Sequence, residues 1–155
     1  MHEVFEMSKQ AKRSNTSNIS NISSIPIISN INPMYKKYNF ENLDIYHLAN
    51  NFVLEIYKLV KKFPREELFG LISQIKRAVI SIVLNIAEGS GKSTKKDFAK
   101  FMSQSIGSLL EVKACLILAE KLDYILRDDF EKVLPKLDEL YFKSQAFKKS
   151  LMTDN

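Results

Sequence analysis

From Phe40 onward, apolar residues recur at alternating steps of three and four. Tyr46, Ala49, Val53, Ile56, Val60 and Phe63 form one such series. Leu68, Ile72, Ile75, Val79, Ile82 and Ile86 form a second. Phe98, Met102, Ser105, Leu109, Val112, Leu116 and Ala119 form a third, and Phe130, Val133, Leu137, Leu140, Ser144, Phe147 and Leu151 a fourth. A 3-4 alternation places every member on one stripe of an α-helix, so the pattern predicts four amphipathic helices with heptad-like seams. No segment alternates with period two, and no sheet is expected.

The breaks between the series are short. Pro64 suits the first turn of a helix, with Glu66 and Glu67 beside its positive end. Gly89 and Gly91 end the second helix. Thr94 and Asp97 resemble a capping box at the start of the third, and Asp128 or Asp129 can cap the fourth. Short connections make consecutive helices antiparallel. The expected fold is therefore an all-α, up-down-up-down four-helix bundle over residues 40–153, with a third helix on the order of 40 Å long. Residues 1–39 differ. The stretch NTSNISNISSIPIISNINP is nearly all Asn, Ser, Ile and Pro with no helical period, which predicts a disordered N-terminal arm, with Met34 an alternative start.

Composition narrows the function classes. A chain of 155 residues is long enough for one domain with a real core. The single cysteine, Cys115, excludes an internal disulfide and a cysteine-rich zinc site, and the two histidines, His2 and His47, have no second ligand at metal spacing. No metal and no cofactor is expected. With no unbroken apolar run near membrane length and no apolar leader, the expected setting is cytoplasmic, without a membrane or small-molecule partner. The net charge of +5 mildly favours an anionic partner.

Residues 89–94 read GSGKST, which resembles half of a phosphate-binding loop. The full motif needs glycine five residues before Gly91, where Ile86 stands, and a preceding strand, where the pattern is helical. Nucleotide binding is excluded on both grounds. Glycines, a hydroxyl cap and lysines at a helix start still make an anion site.

Helix two carries a polar stripe: Gln74, Arg77, Ser81, Asn85 and Glu88 step by three and four. Around it Ile80, Val83, Leu84 and Ala87 extend the apolar surface beyond one seam, more than a single bundle covers, which points to a second copy of the chain. The stripe reads either as a hydrogen-bond network fixing helix register or as a contact to RNA or another subunit. A catalytic role lacks support, because Glu88 has no paired carboxylate or histidine and Ser81 no adjacent base. The chain is expected not to be an enzyme. Gly107, with Ser105 and Ser108, reads as a small patch where another helix approaches closely.

Antiparallel topology gathers charge. One end of the bundle collects Lys36, Lys37, Lys92, Lys95, Lys96, Lys100, Lys143, Lys148 and Lys149 against Glu41, Asp44, Glu88, Asp97 and Asp154. The other end sets seven cations against eight carboxylates. A lysine-rich end reads as a phosphate-backbone contact, sequence-independent and salt-sensitive, or as a solvated surface. Lys92, Lys95, Lys96, Lys100, Arg77, Lys148 and Lys149 are the candidate nucleic-acid contacts, with Tyr35 and Tyr38 near enough to stack on bases.

Four stretches are shared with a known family: YKLVKKFPREE at 57–67, SQIKRA at 73–78, NIAEG at 85–89 and GSLLE at 107–111. On these the chain resembles the 23S rRNA intervening-sequence proteins, over some three quarters of its length. The resemblance implies a small, all-helical, non-enzymatic bundle and an rRNA connection. It also implies a relation to accessory subunits of retroelement reverse transcriptases, which form pentamers with a basic surface for nucleic acid. Gln74, Arg77, Ser81, Asn85, Glu88, Gly89, Gly107 and Glu111 match recurrent family positions. Val83 stands where relatives often have proline, and Asp123 where they often have glycine, so a straighter helix two and a different turn into helix four are expected. A protein-interaction scaffold without nucleic acid is the alternative from another class.

Overall fold

A computed structural model describes residues 37–153. The expected arm, apart from its last three residues, lies outside the described residues, as do Lys36, Tyr35, Asp154 and His2. Four helices follow in order: α1 Asp44–Leu59, α2 Leu71–Ser90, α3 Lys95–Lys121 and α4 Arg127–Thr153. Short 3-10 turns at Asn39–Asn42, Val60–Lys62 and Arg65–Leu68 fill the entry and the first connection. Among the described residues there is no strand. α2 packs on α1 and α3, and α4 closes the square against α1 and α3. The bundle is up-down-up-down, as the period predicts.

The core confirms two stripes and corrects two. On α3, Met102, Ser105, Leu109, Val112, Leu116 and Ala119 are buried, and on α4, Phe130, Val133, Leu137, Leu140 and Ser144. On α1 the buried residues are Ile45, Ala49, Phe52, Ile56 and Leu59, while Tyr46 and Val53 are only half-buried. Ala49 and Ile56, and Val60 and Phe63 just beyond the helix, are buried as the period predicts, and packing buries Ile45, Phe52 and Leu59 in place of Tyr46 and Val53. A side chain such as Phe52 contributes about 1.5–3 kcal/mol when taken from water.

The second correction concerns where α2 begins. Pro64, Glu66 and Glu67 open a 3-10 turn, not the helix, and Leu68, expected in the seam, is exposed. Gly70 interrupts the chain and is the N-cap of α2. Having no side chain to cap with, it relies on Glu67, whose Oε2 accepts the Leu71 N–H at 2.9 Å. The other carboxylate oxygen accepts the Tyr124 hydroxyl at 3.0 Å. Glu67 thus ties the α1–α2 turn to the α3–α4 turn.

The turn into α4 keeps the geometry that glycine would give. Asp123 has φ 57°, and the Tyr124 and Asp123 N–H groups return to the carbonyls of Ala119 and Glu120 at 2.9 and 3.1 Å. This double closure is the usual left-handed helix end, made here without glycine. Asp128 and Asp129 fall inside the first turn of α4 instead of capping it, because the Leu126 carbonyl accepts the first helical bond, from Phe130 N–H at 3.1 Å. Pro135, inside α4, has no N–H to return to the Glu131 carbonyl.

Two glycines exchange roles. A Cβ at Gly107 would meet nothing within 4 Å, so among the described residues no helix makes the close approach expected there. The close approach is at Gly89, inside α2, where a Cβ would lie 2.4 Å from the Phe98 ring and 2.8 Å from Phe101 Cβ.

Candidate nucleic-acid interface

The topology delivers the lysines to one pole. The entry turn, the end of α2, the start of α3 and the end of α4 meet there. The pole is held by rings: Phe98 and Phe147 pack edge to face with centroids 5.3 Å apart, joining α3 to α4. Around this apolar centre stand Lys37, Lys92, Lys95, Lys96, Lys100, Lys143, Lys148 and Lys149, all exposed except the half-exposed Lys148. Among the described residues they face Glu41, Asp44, Glu88 and Asp97, and Glu139 beside Lys143, so eight positive charges meet five negative ones.

Three ion pairs of this pole stay within single helices or their ends. Lys100 reaches Asp97 at 2.9 Å, Lys143 reaches Glu139 at 2.7 Å, and Lys92 reaches Glu88 at 3.1 Å. Lys92 also lies 4.4 Å from the Phe101 ring centroid, a cation–π contact. Lys96, Lys148 and Lys149 have no ion-pair partner among the described residues. Exposed pairs of this kind are worth about 0–1 kcal/mol and do not bind their lysines tightly.

The start of α3 is less open to an anion than the sequence suggests. Thr94 caps the helix, its Oγ1 accepting the Asp97 N–H at 3.0 Å and donating to Asp97 Oδ2 at 2.7 Å. The Lys100 ammonium and then the Thr94 hydroxyl hold the Asp97 carboxyl below its ordinary pKa. The chain's own carboxylate therefore occupies the favourable end of the dipole.

Arg77, expected among the nucleic-acid contacts, is not at this pole. It lies in the second turn of α2, fifteen residues before Lys92 and about 20 Å away along the helix axis. There it lines an open groove of about 520 Å³ between α2 and α3, with Gln74, Ser81, Asn85, Glu88 and Glu111. Part of the stripe fixes register. Ser108 Oγ bonds Ser81 Oγ at 2.9 Å, Gln74 Nε2 donates to Glu111, and Asn85 Nδ2 donates to the Ser81 carbonyl at 2.8 Å. Deeper between the same helices, Ser105 Oγ donates to the Ile82 carbonyl at 3.1 Å. Arg77 is exposed and has no hydrogen-bond or ion-pair partner among the described residues. Glu111 completes the groove from α3; in the sequence its one polar neighbour at helical spacing is Ser108, and only helix packing brings it to Gln74.

Apolar side chains flank the groove. Ile80 and Leu84 on α2 line it and are 39% and 60% exposed; elsewhere on α3, Leu110, Ile117 and Leu118 are 39–48% exposed. By length and composition, Arg65–Ser90 and Lys95–Lys121 are each apolar enough to cross a membrane, and a third of either window is buried in the bundle.

Comparison with known proteins follows this geometry. Residues 41–145 match the 23S rRNA-intervening sequence protein family. A search of curated proteins finds no significant match. Among solved structures, a protein of unknown function from the S23 ribosomal protein family of Bacteroides thetaiotaomicron is similar. Its TM-score is 0.61 at 22% identity, over 68% of this chain and 98% of that one, a likeness of fold. With the family match spanning the bundle from the entry turn into the last helix, the chain belongs to the 23S rRNA-intervening sequence protein family.

Proposed function

We propose that this protein is a non-enzymatic, RNA-binding bundle that engages the phosphate backbone of structured RNA, ribosomal RNA first, through its lysine pole. The observation that carries this reading is the excess of eight lysines over five carboxylates on one pole, with Lys96, Lys148 and Lys149 left without ion-pair partners among the described residues. Such a pole attracts polyanions by releasing their counterions, with little regard for sequence. The family's association with 23S rRNA in name is consistent with this partner.

The apolar surplus on α2 and α3 favours self-association in the same reading. A second copy seated on the groove would cover Ile80 and Leu84 and supply a carboxylate to Arg77. A pole of this kind also suits an accessory subunit of a retroelement reverse transcriptase, and an interrupted rRNA gene or a neighbouring polymerase gene distinguishes the two.

The test is filter binding of rRNA fragments from about 50 to about 300 mM salt. Binding should fall steeply with salt. Replacing Lys96, Lys148 and Lys149 by glutamate should weaken it and reduce the slope of log K against log salt by about 2–3. A flat salt response, or no binding, overturns the reading in favour of a protein-interaction scaffold.

A further inference from the structure

The entry turn carries an aromatic feature that phosphate contact does not use. Tyr38 is 68% exposed, at the same pole as the lysines. Its ring lies nearly parallel to Phe40, at 9° and 6.2 Å between centroids. Phe40 meets Tyr46 edge to face at 4.8 Å, and Tyr46 meets His47 at 6.0 Å. Phe40 and Tyr46 are half-buried, so the row is braced from the bundle side and open at Tyr38.

The backbone beneath Tyr38 is fixed at both ends. Its N–H donates to Glu41 Oε1 at 3.0 Å, and its carbonyl accepts the Glu41 N–H at 3.1 Å. His47 Nε2 donates to the Glu41 carbonyl at 3.0 Å and secures the turn to α1. An aromatic ring held in place yet facing water loses little freedom when it binds. Beside it stands the exposed Lys37.

Resting on the lysine-pole reading, we infer that Tyr38 is a stacking platform for an unpaired nucleobase, so that the pole prefers RNA with single-stranded segments over continuous duplex. In a duplex the base faces are covered by their neighbours and only the backbone is offered. In a loop or single strand a base can turn onto the exposed ring while Lys37 and the pole lysines hold the flanking phosphates.

The chain contains no tryptophan, so Tyr38→Trp introduces a single reporter. Its fluorescence should be quenched on titration with a single-stranded RNA oligonucleotide, and equally with single-stranded DNA, but not with a blunt duplex of the same length. Tyr38→Ala should weaken single-strand binding roughly 5- to 100-fold, with the salt slope and thermal midpoint unchanged, and Tyr38→Phe should bind like the parent. Binding with no quenching, or an alanine variant that binds single strands normally, overturns the stacking platform and leaves the lysine pole standing. Loss of salt-dependent binding in the parent chain overturns both. A tryptophan spectrum that shifts with protein concentration alone places Tyr38 at a contact between copies and also overturns the inference.

Discussion

The two poles of the bundle use charge in opposite ways. At the acidic pole, ions hold helices together. Lys62 reaches from the first connection to Asp129 of α4 at 2.7 Å, Arg127 of α4 spans Glu120 of α3 and its own Glu131, and Glu67 caps α2 while receiving the Tyr124 hydroxyl. At the lysine pole, the helices are joined by rings and by the Gly89–Phe98 contact, Lys92, Lys100 and Lys143 pair along their own helix or its end, and Lys96, Lys148 and Lys149 have no ion-pair partner among the described residues. Charge that knits a structure is unavailable to a ligand. Charge that stands clear of the knitting is available at little cost to the fold. The difference, more than the net charge of the whole chain, is what favours a polyanion at one end.

The sharpest way to break this comparison is to damage the knitted pole. Phe63 is buried there and packs against Tyr124 with centroids 6.2 Å apart. Phe63→Ala should cost about 3–5 kcal/mol of stability, read from urea unfolding, while RNA affinity below the unfolding midpoint stays within twofold. A matched loss of affinity would show that the poles are not independent.

Next in size is a paired charge reversal. Lys96, Lys148 and Lys149 to glutamate should lower RNA affinity by roughly 10- to 100-fold. The same formal change at the other pole, in Lys61, Arg65 and Lys132, should alter it by less than about threefold, since the two variants have equal net charge and differ only in location. Equal losses, measured by filter binding at one salt concentration, would make total charge the cause.

A smaller effect is expected at the left-handed turn. Asp123→Gly should stabilise the protein by about 0.5–1 kcal/mol, because φ 57° strains a residue with a Cβ. Unchanged stability would mean that the aspartate side chain compensates locally.

The smallest effect depends on pH. Lys136, by hydrogen bond at 3.1 Å and then by charge, holds the Glu55 carboxyl below the ordinary glutamate range. A carboxyl with a lowered folded pKa adds stability above its unfolded value and loses it as pH falls through the folded one. Glu55 is partly exposed, so Glu55→Gln should cost only about 0.2–1 kcal/mol near neutral pH. Urea midpoints of parent and variant should converge by about pH 3. A difference that persists in acid would assign the effect to packing.

Much of this fold is legible in the chain because helical period and seam coincide. The stripes of α3 and α4 could be read directly, since Met102 to Ala119 and Phe130 to Ser144 keep the three-four step unbroken and are the positions that become buried. α1 could be read only in part, because Ile45 and Tyr46, and Phe52 and Val53, offer two faces around Ala49 and Ile56, and only the neighbouring helices choose. The start of α2 was hidden because Pro64 and two glutamates mimic a helix start, while Gly70 ends the turn they begin. Glycine spacing carried no information about close contact: Gly107 looks like a packing site and faces solvent, whereas Gly89 looks like a terminator and is the packing site. The polar stripe of α2 was visible at its three- and four-residue steps. Glu111, its partner from 37 positions beyond Gln74, required tertiary structure.

Gly89 has a consequence for the lysines it does not touch. Because it carries no methyl group, the end of α2 can lie directly on the Phe98 ring at the start of α3. Lys92 follows one of these helix ends and Lys95 and Lys96 open the other, so the spacing between them is set by the thickness of that contact. Even an alanine there would act as a wedge, spreading three ammonium groups and diluting the field they share. The strength of the pole is tuned by an uncharged residue, through the absence of one carbon.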